Sequence, residues 1–307
     1  MRIFVTGATG FIGSAVVAEL LNAGHQVLGL TRSEAGAQTL AAAGAQVHRG
    51  DLKDLESLRT GASNADGVIH LGFIHDFSKF QENCDIDRRA IEALGETLAG
   101  TNQPLIVAGG LGGLSTLGRV ATEDHVPLPD VPFPRVSEQA AMAFLAKGVS
   151  SGVMRLPQVH NTVKQGLVTY LIAIAREKGV SAYVGDGQAR WAAAHVLDVA
   201  RLYRLALENH EPGARYHAVG EEGVRLRDIA EAIGRGLKIP AVSISPEQAP
   251  AHFGWMSRFA ADGLPASSAI TRQKLGWQPT GPGLIADLEQ MRYFETDTAG
   301  VSVARRA

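Results

Sequence analysis

Glycines at positions 7, 10 and 13 in "TGATGFIG" have the spacing of an anion cradle. Such a set permits a tight strand-to-helix turn, close approach of backbone N–H groups to a pyrophosphate, and close packing of a helix on the strand behind it. The helix N-terminus, with free N–H groups and a partial positive charge, then faces the phosphates. Thr9, Phe11 and Ile12 of the same turn therefore join Gly7, Gly10 and Gly13 as candidate dinucleotide-binding residues. Glycines also make ordinary loops, and only the flanking elements separate the two readings. A second candidate is His75-Asp76 in "LGFIHDFSKF". An imidazole titrates near neutral pH and an adjacent carboxylate can tune it, which would make a proton relay; a solvated loop histidine is the competing reading. Ser115 and Thr116 in "GGLGGLSTLGR" offer hydroxyls to a substrate, although that glycine-rich context also suits turn residues. Arg190 and Trp191, following "GDGQ", could line a pocket, while a lone tryptophan is more often core.

These residues need elements to position them. Arg2 to Thr6 is a short apolar run rich in β-branched and aromatic residues, and Phe11 to Ala23 carries apolar residues at helical spacing, so the cradle lies between a first strand and a first helix. Further strands are predicted at Gln26 to Leu30, Gln46 to His48, Gly67 to Leu71, Leu105 to Ala108 and Gly152 to Arg155, with helical patterns between most of them. The alternation predicts an α/β fold: a Rossmann-type doubly wound parallel sheet covered on both faces. It also sets His75 and Asp76 beyond the carboxyl end of a strand, where doubly wound sheets bind ligands. Four prolines, at 127, 129, 132 and 134, make the segment from Ala121 to Pro134 an extended loop of a length that is often functional. Beyond residue 157 the pattern is less regular. We expect a dinucleotide-binding domain over residues 1–157 and a smaller, partly interleaved substrate lobe over 158–307. Part of 190–220 is expected to return to the first domain, and about 297–307 to form a loose tail.

Composition excludes several classes. With 307 residues, 45% of them hydrophobic, the chain can bury a large core, and a formal net charge of -2 gives no hint of nucleic acid or an acidic membrane surface as partner. The single cysteine, Cys84, excludes an internal disulfide and makes a reducing compartment the default; its neighbours Glu82 and Asp85 disfavour a reactive thiolate. The opening residues lack the pattern of an export signal, and no run reaches the roughly 18 apolar residues that a membrane span needs, so a cytoplasmic, membrane-free protein is expected. His, Asp and Glu show no metal-ligand spacing and no metal is expected. There is no G-x-S-x-G elbow either.

"TGATGFIG" resembles the TGxxGxxG fingerprint of the extended short-chain dehydrogenase/reductases, the superfamily that includes sugar-nucleotide epimerases and dehydratases. The resemblance continues through most of the chain in "GDL" (50–52), "VIHLGF" (68–73), "RLPQVH" (155–160), "GDG" (185–187), "HVLDVA" (195–200) and "LGWQP" (275–279), in similar order and spacing. It implies that Asp51 and Leu52 hold the adenine, that Leu71, Gly72, Phe73 and Pro157 line the cofactor, and that His160 stands where relatives often carry a tyrosine near the nicotinamide carboxamide. A packed histidine is the alternative at position 160. NAD-preferring relatives place an acid at the end of the second strand, whereas here Thr31, Arg32 and Ser33 stand there. Arg32 can pair with a 2′-phosphate, so NADP(H) is the expected cofactor, with NAD(H) possible and a solvated surface arginine as the plain alternative.

The chain departs from the family at the family's own chemistry. A typical member has a Tyr-x-x-x-Lys motif after the long loop that follows the fifth strand, and a Ser at that strand's end. Here the corresponding stretch is "VPFPRVSEQAAMAFLA", which sets Pro134 at the Tyr position and Glu138 at the Lys position, while the Ser position falls on Gly109 or Gly110. None of the five tyrosines has a lysine four residues on. Two outcomes follow: an NADP(H)-dependent reductase of a small carbonyl or imine compound that uses another proton donor, with His75, Ser115 and His160 as candidates and Asp76, Thr116 and Trp191 near the substrate; or an NADP(H)-binding sensor or scaffold without turnover. An epimerase or dehydratase of sugar nucleotides is a further alternative, weakened by the dispersal of Arg155, Lys164, Arg176 and Arg190 along the sequence. Relatives dimerise through two long helices per subunit, for which Gln81 to Ala99 and Ser137 to Ala146 are the candidates, so a homodimer is expected.

Overall fold

In the computed structural model, which describes residues 1–112, 114, 119–126 and 134–291, strand and helix alternate from the first residues. β1 (Arg2–Thr6), α1 (Phe11–Asn22), β2 (Gln26–Thr31), α2 (Glu34–Ala42), β3 (Gln46–Arg49), α3 (Leu55–Ser63), β4 (Gly67–His70), α4 (Phe80–Leu98), β5 (Pro104–Gly110), α5 (Ser137–Met142) and β6 (Ser150–Leu156) come first. There follow β7 (Gln158–His160), α6 (Val168–Lys178), β8 (Ser181–Val184), β9 (Arg190–His195), α7 (Val196–Glu208), β10 (Arg215–His217), β11 (Glu221–Arg225), α8 (Leu226–Leu237), β12 (Ala241–Ile244), α9 (Ala249–Phe253), α10 (Ser257–Asp262), α11 (Ala269–Leu275) and α12 (Leu284–Glu289).

The main sheet has seven strands in the order β10-β6-β5-β4-β1-β2-β3, all pairs parallel. Alternate strand residues feed opposite layers, as a period of two requires. Ile3, Val5 and Ile69 pack with Val16 and Leu20 of α1 and Val199, Leu202 and Tyr203 of α7. Phe4, Val68 and Val107 pack with Leu58 of α3 and Ile91 and Leu94 of α4. All of these side chains are buried. Residues 196–217 thus leave the second lobe to supply a covering helix and an edge strand to the first sheet. The second lobe keeps a three-stranded sheet, β11-β9-β7, and the parallel pair β12-β8, packed around Val168, Ile172, Trp191, Ile229, Phe253 and Met256.

Sheet order reverses between β1 and β4. Chains leaving the two strands diverge there, and this opens the crevice into which the glycine turn and the loop after β4 both project. α2 and α3 start on side-chain caps: Ser33 Oγ accepts from Gly36 N at 3.0 Å and Asp54 Oδ1 from Ser57 N at 3.2 Å. α1 starts on Gly10 with no side-chain cap and no acid in its first turn.

Candidate functional site

The cradle is set by steric necessity. Gly7 has φ +66°, and a Cβ there would lie 2.8 Å from the amide nitrogen of Gly72, so only glycine lets the β1 turn lie against the strand end of β4. A Cβ on Gly13 would stand 2.0 Å from the Gly7 carbonyl oxygen, which fixes α1 tight against the turn. Gly10 N donates to Gly7 O at 2.9 Å and closes it. Because the first turn of α1 carries neither a capping side chain nor an acid, its leading amides suit an external anion. Thr9, Phe11 and Ile12 lie on this turn and the first turn of α1, and Leu71, Gly72 and Phe73 run beside it after β4.

At the far end of the crevice, Arg32 follows β2 and Asp51 follows β3. The Arg32 side chain is 78% exposed, with Nη1 3.6 Å from Asp51 Oδ2. Ser33 is committed to capping α2, and Asp51 Oδ1 accepts from Lys53 N at 2.9 Å. Glu34, the nearest acid to the strand end, pairs with Arg49. Leu52 packs beside Gly72, where an added Cβ would meet Leu52 Cδ2 at 2.8 Å. Residues and charges at this end fit a dinucleotide whose adenosine half lies over β2 and β3.

Beneath the cradle runs a buried chain of hydrogen bonds. The Gly72 amide donates to Thr6 Oγ1 at 3.0 Å, and Thr6 Oγ1 shares a hydrogen bond with His70 Nδ1 at 2.9 Å. His70 Nε2 donates to Asp87 Oδ1 at 3.3 Å. Asp87 Oδ2 accepts from Ser137 Oγ at 2.5 Å, and Ser137 Oγ accepts from Arg135 Nε at 2.9 Å. Burial pushes the Asp87 carboxyl upward, but His70, Arg135 and Ser137 outweigh it and its pKa lies below the usual carboxylate value. The chain ends at Arg135, whose Nη2 also donates to the Ala108 carbonyl at 2.9 Å and whose guanidinium lies 4.2 Å over the Phe73 ring. Sequence reasoning missed Thr6, His70, Asp87 and Arg135. One signal was present: Asp87 shares an apolar helix stripe with Cys84, Ile91 and Leu94, a place where a carboxylate needs a partner.

The Tyr and Lys positions of the family carry other structure. Glu138 is gripped by Arg155, with Nε to Oε2 at 2.9 Å and Nη2 to Oε1 at 2.8 Å, and by Arg215 Nε at 2.6 Å. Burial raises the Glu138 carboxyl, and the two arginines pull it back below its ordinary value. This residue braces α5 against β6 and β10 and is not directed at a ribose.

His75 stands in the loop after β4, its ring 5.2 Å from that of Phe73 and 6.4 Å from that of Phe77. It is open to solvent yet surrounded by protein mass, as a group lining a cleft is. That desolvation, with Arg135 and Lys164 nearby, holds its pKa below the ordinary 6.5. The expected His75-Asp76 relay is absent. Asp76 instead caps a short 3₁₀ turn, accepting from Ser78 N at 3.0 Å and Ser78 Oγ at 2.5 Å, because a carboxylate two residues before an amide closes that ring locally. His160 is fully enclosed, its Nδ1 2.6 Å from Asp287 Oδ2 of α12 and its ring 5.9 Å from that of His195. Burial lowers its pKa against the pull of Asp287. In this arrangement it is a packed histidine of the second lobe that does not meet His75. Trp191 is likewise core, 2% exposed, donating from Nε1 to the Phe259 carbonyl at 3.0 Å. Pro157 joins β6 to β7. Ser115 and Thr116 lie outside the described residues. Arg155 is buried in β6, Arg190 donates to the Gly223 carbonyl, Lys164 follows β7 and Arg176 lies on α6.

Among the described residues no group of three or more His, Cys, Asp or Glu is placed to hold a metal ion, and no helix is long and apolar enough to cross a membrane.

The model of the NAD dependent epimerase/dehydratase family matches residues 3–97. The chain is 48% identical over 296 residues to the uncharacterized protein C2A9.02 of Schizosaccharomyces pombe, covering 96% of this chain and 100% of that one. It is 45% identical to the uncharacterized protein YLL056C of Saccharomyces cerevisiae, covering 94% and 98%. MoeE5 in complex with UDP-glucuronic acid and NAD has the same fold, with a TM-score of 0.74 at 24% identity, over 96% of this chain and 99% of that one. The cradle at the switch point, the parallel sheet around it and these likenesses agree, and the chain belongs to the NAD-dependent epimerase/dehydratase family of extended short-chain dehydrogenase/reductases, with a nicotinamide dinucleotide as its cofactor class.

Proposed function

We propose that this protein is an NADP(H)-dependent oxidoreductase that reduces a small, mostly apolar carbonyl compound without the tyrosine its family ordinarily uses. The observation that carries this reading is the charge of the cleft beside the cradle. Arg135 and Lys164 are cationic and His75 is held largely neutral at pH 7, with aromatic rings between them. A carbonyl oxygen gains negative charge as its carbon takes up hydride, and fixed positive groups stabilise that charge. A bound nicotinamide would supply the hydride; the oxygen receives its proton from His75 or from water, and the product is the alcohol. The same cations disfavour a substrate that arrives as a protonated imine. Sugar nucleotides fit this reading less well, because Arg155 is spent on Glu138 and Arg190 on the Gly223 carbonyl.

The preference for NADP(H) rests on Arg32, exposed at the end of β2 where an NAD-selective site would carry an acid, with Glu34 already paired to Arg49. Fluorescence titration should give tighter binding of NADPH than of NADH, and Arg32→Ala should weaken NADPH by about tenfold to a hundredfold while sparing NADH, the worth of a charge-assisted contact to a phosphate. Equal affinities in the wild type would remove the preference. Oxidation of NADPH at 340 nm against ketones, aldehydes and cyclic imines tests the reaction. Tight NADPH binding with no substrate reduced would favour a sensor, and turnover of imines with ketones inert would reverse the assignment of substrate.

A further inference from the structure

Five aromatic rings continue the cleft away from Arg135. Phe73 lies under the guanidinium at 4.2 Å and meets Phe80 edge-on at 6.3 Å; Phe80 stacks with Phe77 at 5.7 Å; Phe77 stacks on Trp255 of the second lobe at 4.4 Å with the rings 16° apart. Tyr170 of α6 closes the corner, 5.6 Å from Phe77 and 5.1 Å from Trp255, edge-on to both. Trp255 is 46% exposed although its neighbours are apolar. An aromatic wall that joins two lobes and leaves a large ring half-exposed costs solvation unless something flat covers it. At the opposite end Arg135 is only 17% exposed, and its orientation is fixed by Ser137 and the Ala108 carbonyl.

Resting on the reductase reading above, we infer that Arg135 and the aromatic wall form one substrate subsite, which takes a flat, apolar or aromatic body with a single carbonyl or carboxylate oxygen seated on the Arg135 guanidinium. Arg135 is then the group that touches the reacting oxygen. The buried Asp87-Ser137 pair positions it, which explains why a carboxylate and a hydroxyl are spent deep in the first lobe between α4 and α5. The separation of charge and ring faces sets the specificity: a sugar nucleotide offers neither a flat apolar body nor a lone oxygen, and a flexible acyl chain cannot use the stacked faces.

The test is calorimetric titration of the NADPH-saturated protein with 2-naphthoate, a flat aromatic carboxylate that cannot be reduced at this cofactor's potential, compared with decanoate and UDP-glucose. The expected result is that 2-naphthoate binds, decanoate binds about tenfold or more weakly for want of stacking, and UDP-glucose does not compete. Arg135→Gln should weaken 2-naphthoate about tenfold to a hundredfold, as the loss of a charge-assisted hydrogen bond does, with NADPH affinity unchanged. Trp255→Leu, at a half-exposed position, should weaken 2-naphthoate and leave decanoate as it was, with NADPH affinity in the same protein showing that the fold is kept. If Arg135→Gln does not fold, the Trp255→Leu comparison decides alone. NADPH binding with no preference for 2-naphthoate over decanoate, or displacement of 2-naphthoate by UDP-glucose, overturns the subsite and leaves the reductase reading standing; failure to bind NADPH overturns the reductase reading itself.

Discussion

His75 carries the sharpest consequence at the scale of single residues. Its pKa is depressed, by desolvation first and by Arg135 and Lys164 next, so little imidazolium exists at pH 7 and the fraction grows as pH falls. If His75 is the proton donor, kcat should rise from neutral pH toward its folded-state pKa. His75→Ala should lower kcat by about 10²- to 10⁴-fold and flatten that rise. An unchanged pH profile in the variant would assign the proton to water. The pairing with Asp76 suggested by adjacency fails for a local reason. A side-chain oxygen two residues ahead of an amide closes a turn at almost no entropic cost, whereas reaching back to the preceding imidazole does not. Adjacency in sequence is thus poor evidence for adjacency in chemistry. The partners that matter, Thr6, His70, Asp87, Ser137 and Arg135, come from four separated segments.

At the scale of elements the first lobe was legible because period and punctuation agreed. Alternating strands, a glycine turn after the first of them and an apolar stripe from Phe11 left no other arrangement, and β1 and α1 stand where their residues put them. α5 was less legible. The run from Ser137 to Ala146, read as one long helix, breaks after Met142 into a 3₁₀ turn at Leu145–Lys147, and it packs on α4, β5 and β6 within its own subunit. The junction of β1 and α1 gives the clearest element-level prediction. Gly13→Ala would drive a Cβ to 2.0 Å from a backbone oxygen that cannot move without opening the turn. It should cost about 1–3 kcal/mol in chemical denaturation, the range for overpacking, and reduce NADPH affinity in the same protein. Unchanged stability would mean that α1 can slide on the sheet.

For the molecule as a whole, two enclosed histidines tie stability to pH. His217 accepts from Arg155 through Nε2 and donates from Nδ1 to the Ser267 carbonyl at 2.7 Å, with Glu123 and Glu138 also facing it; burial outweighs these acids and pushes its pKa down to about 4. His160, facing Asp287, Glu221 and His195, is shifted downward for the same first reason. Both bind fewer protons when folded than when unfolded between their folded values and 6.5. Their contribution is therefore complete above that pH and is lost as pH falls through the window. Thermal unfolding should show Tm falling as pH drops from about 6.5 to 5, with a smaller fall in His217→Gln, which keeps a donor for Ser267. An identical slope in that variant would place the proton uptake elsewhere. The sequence by itself determined the layer order, the glycine cradle and the absence of an acid after β2, because those depend on backbone conformation and on residues a few positions apart. Only the tertiary structure decided that His160 and Trp191 are core, that Asp87 holds Ser137 beneath Arg135, and that rings from two lobes form one wall. Burial and pairing across long separations follow from packing, which no local pattern encodes.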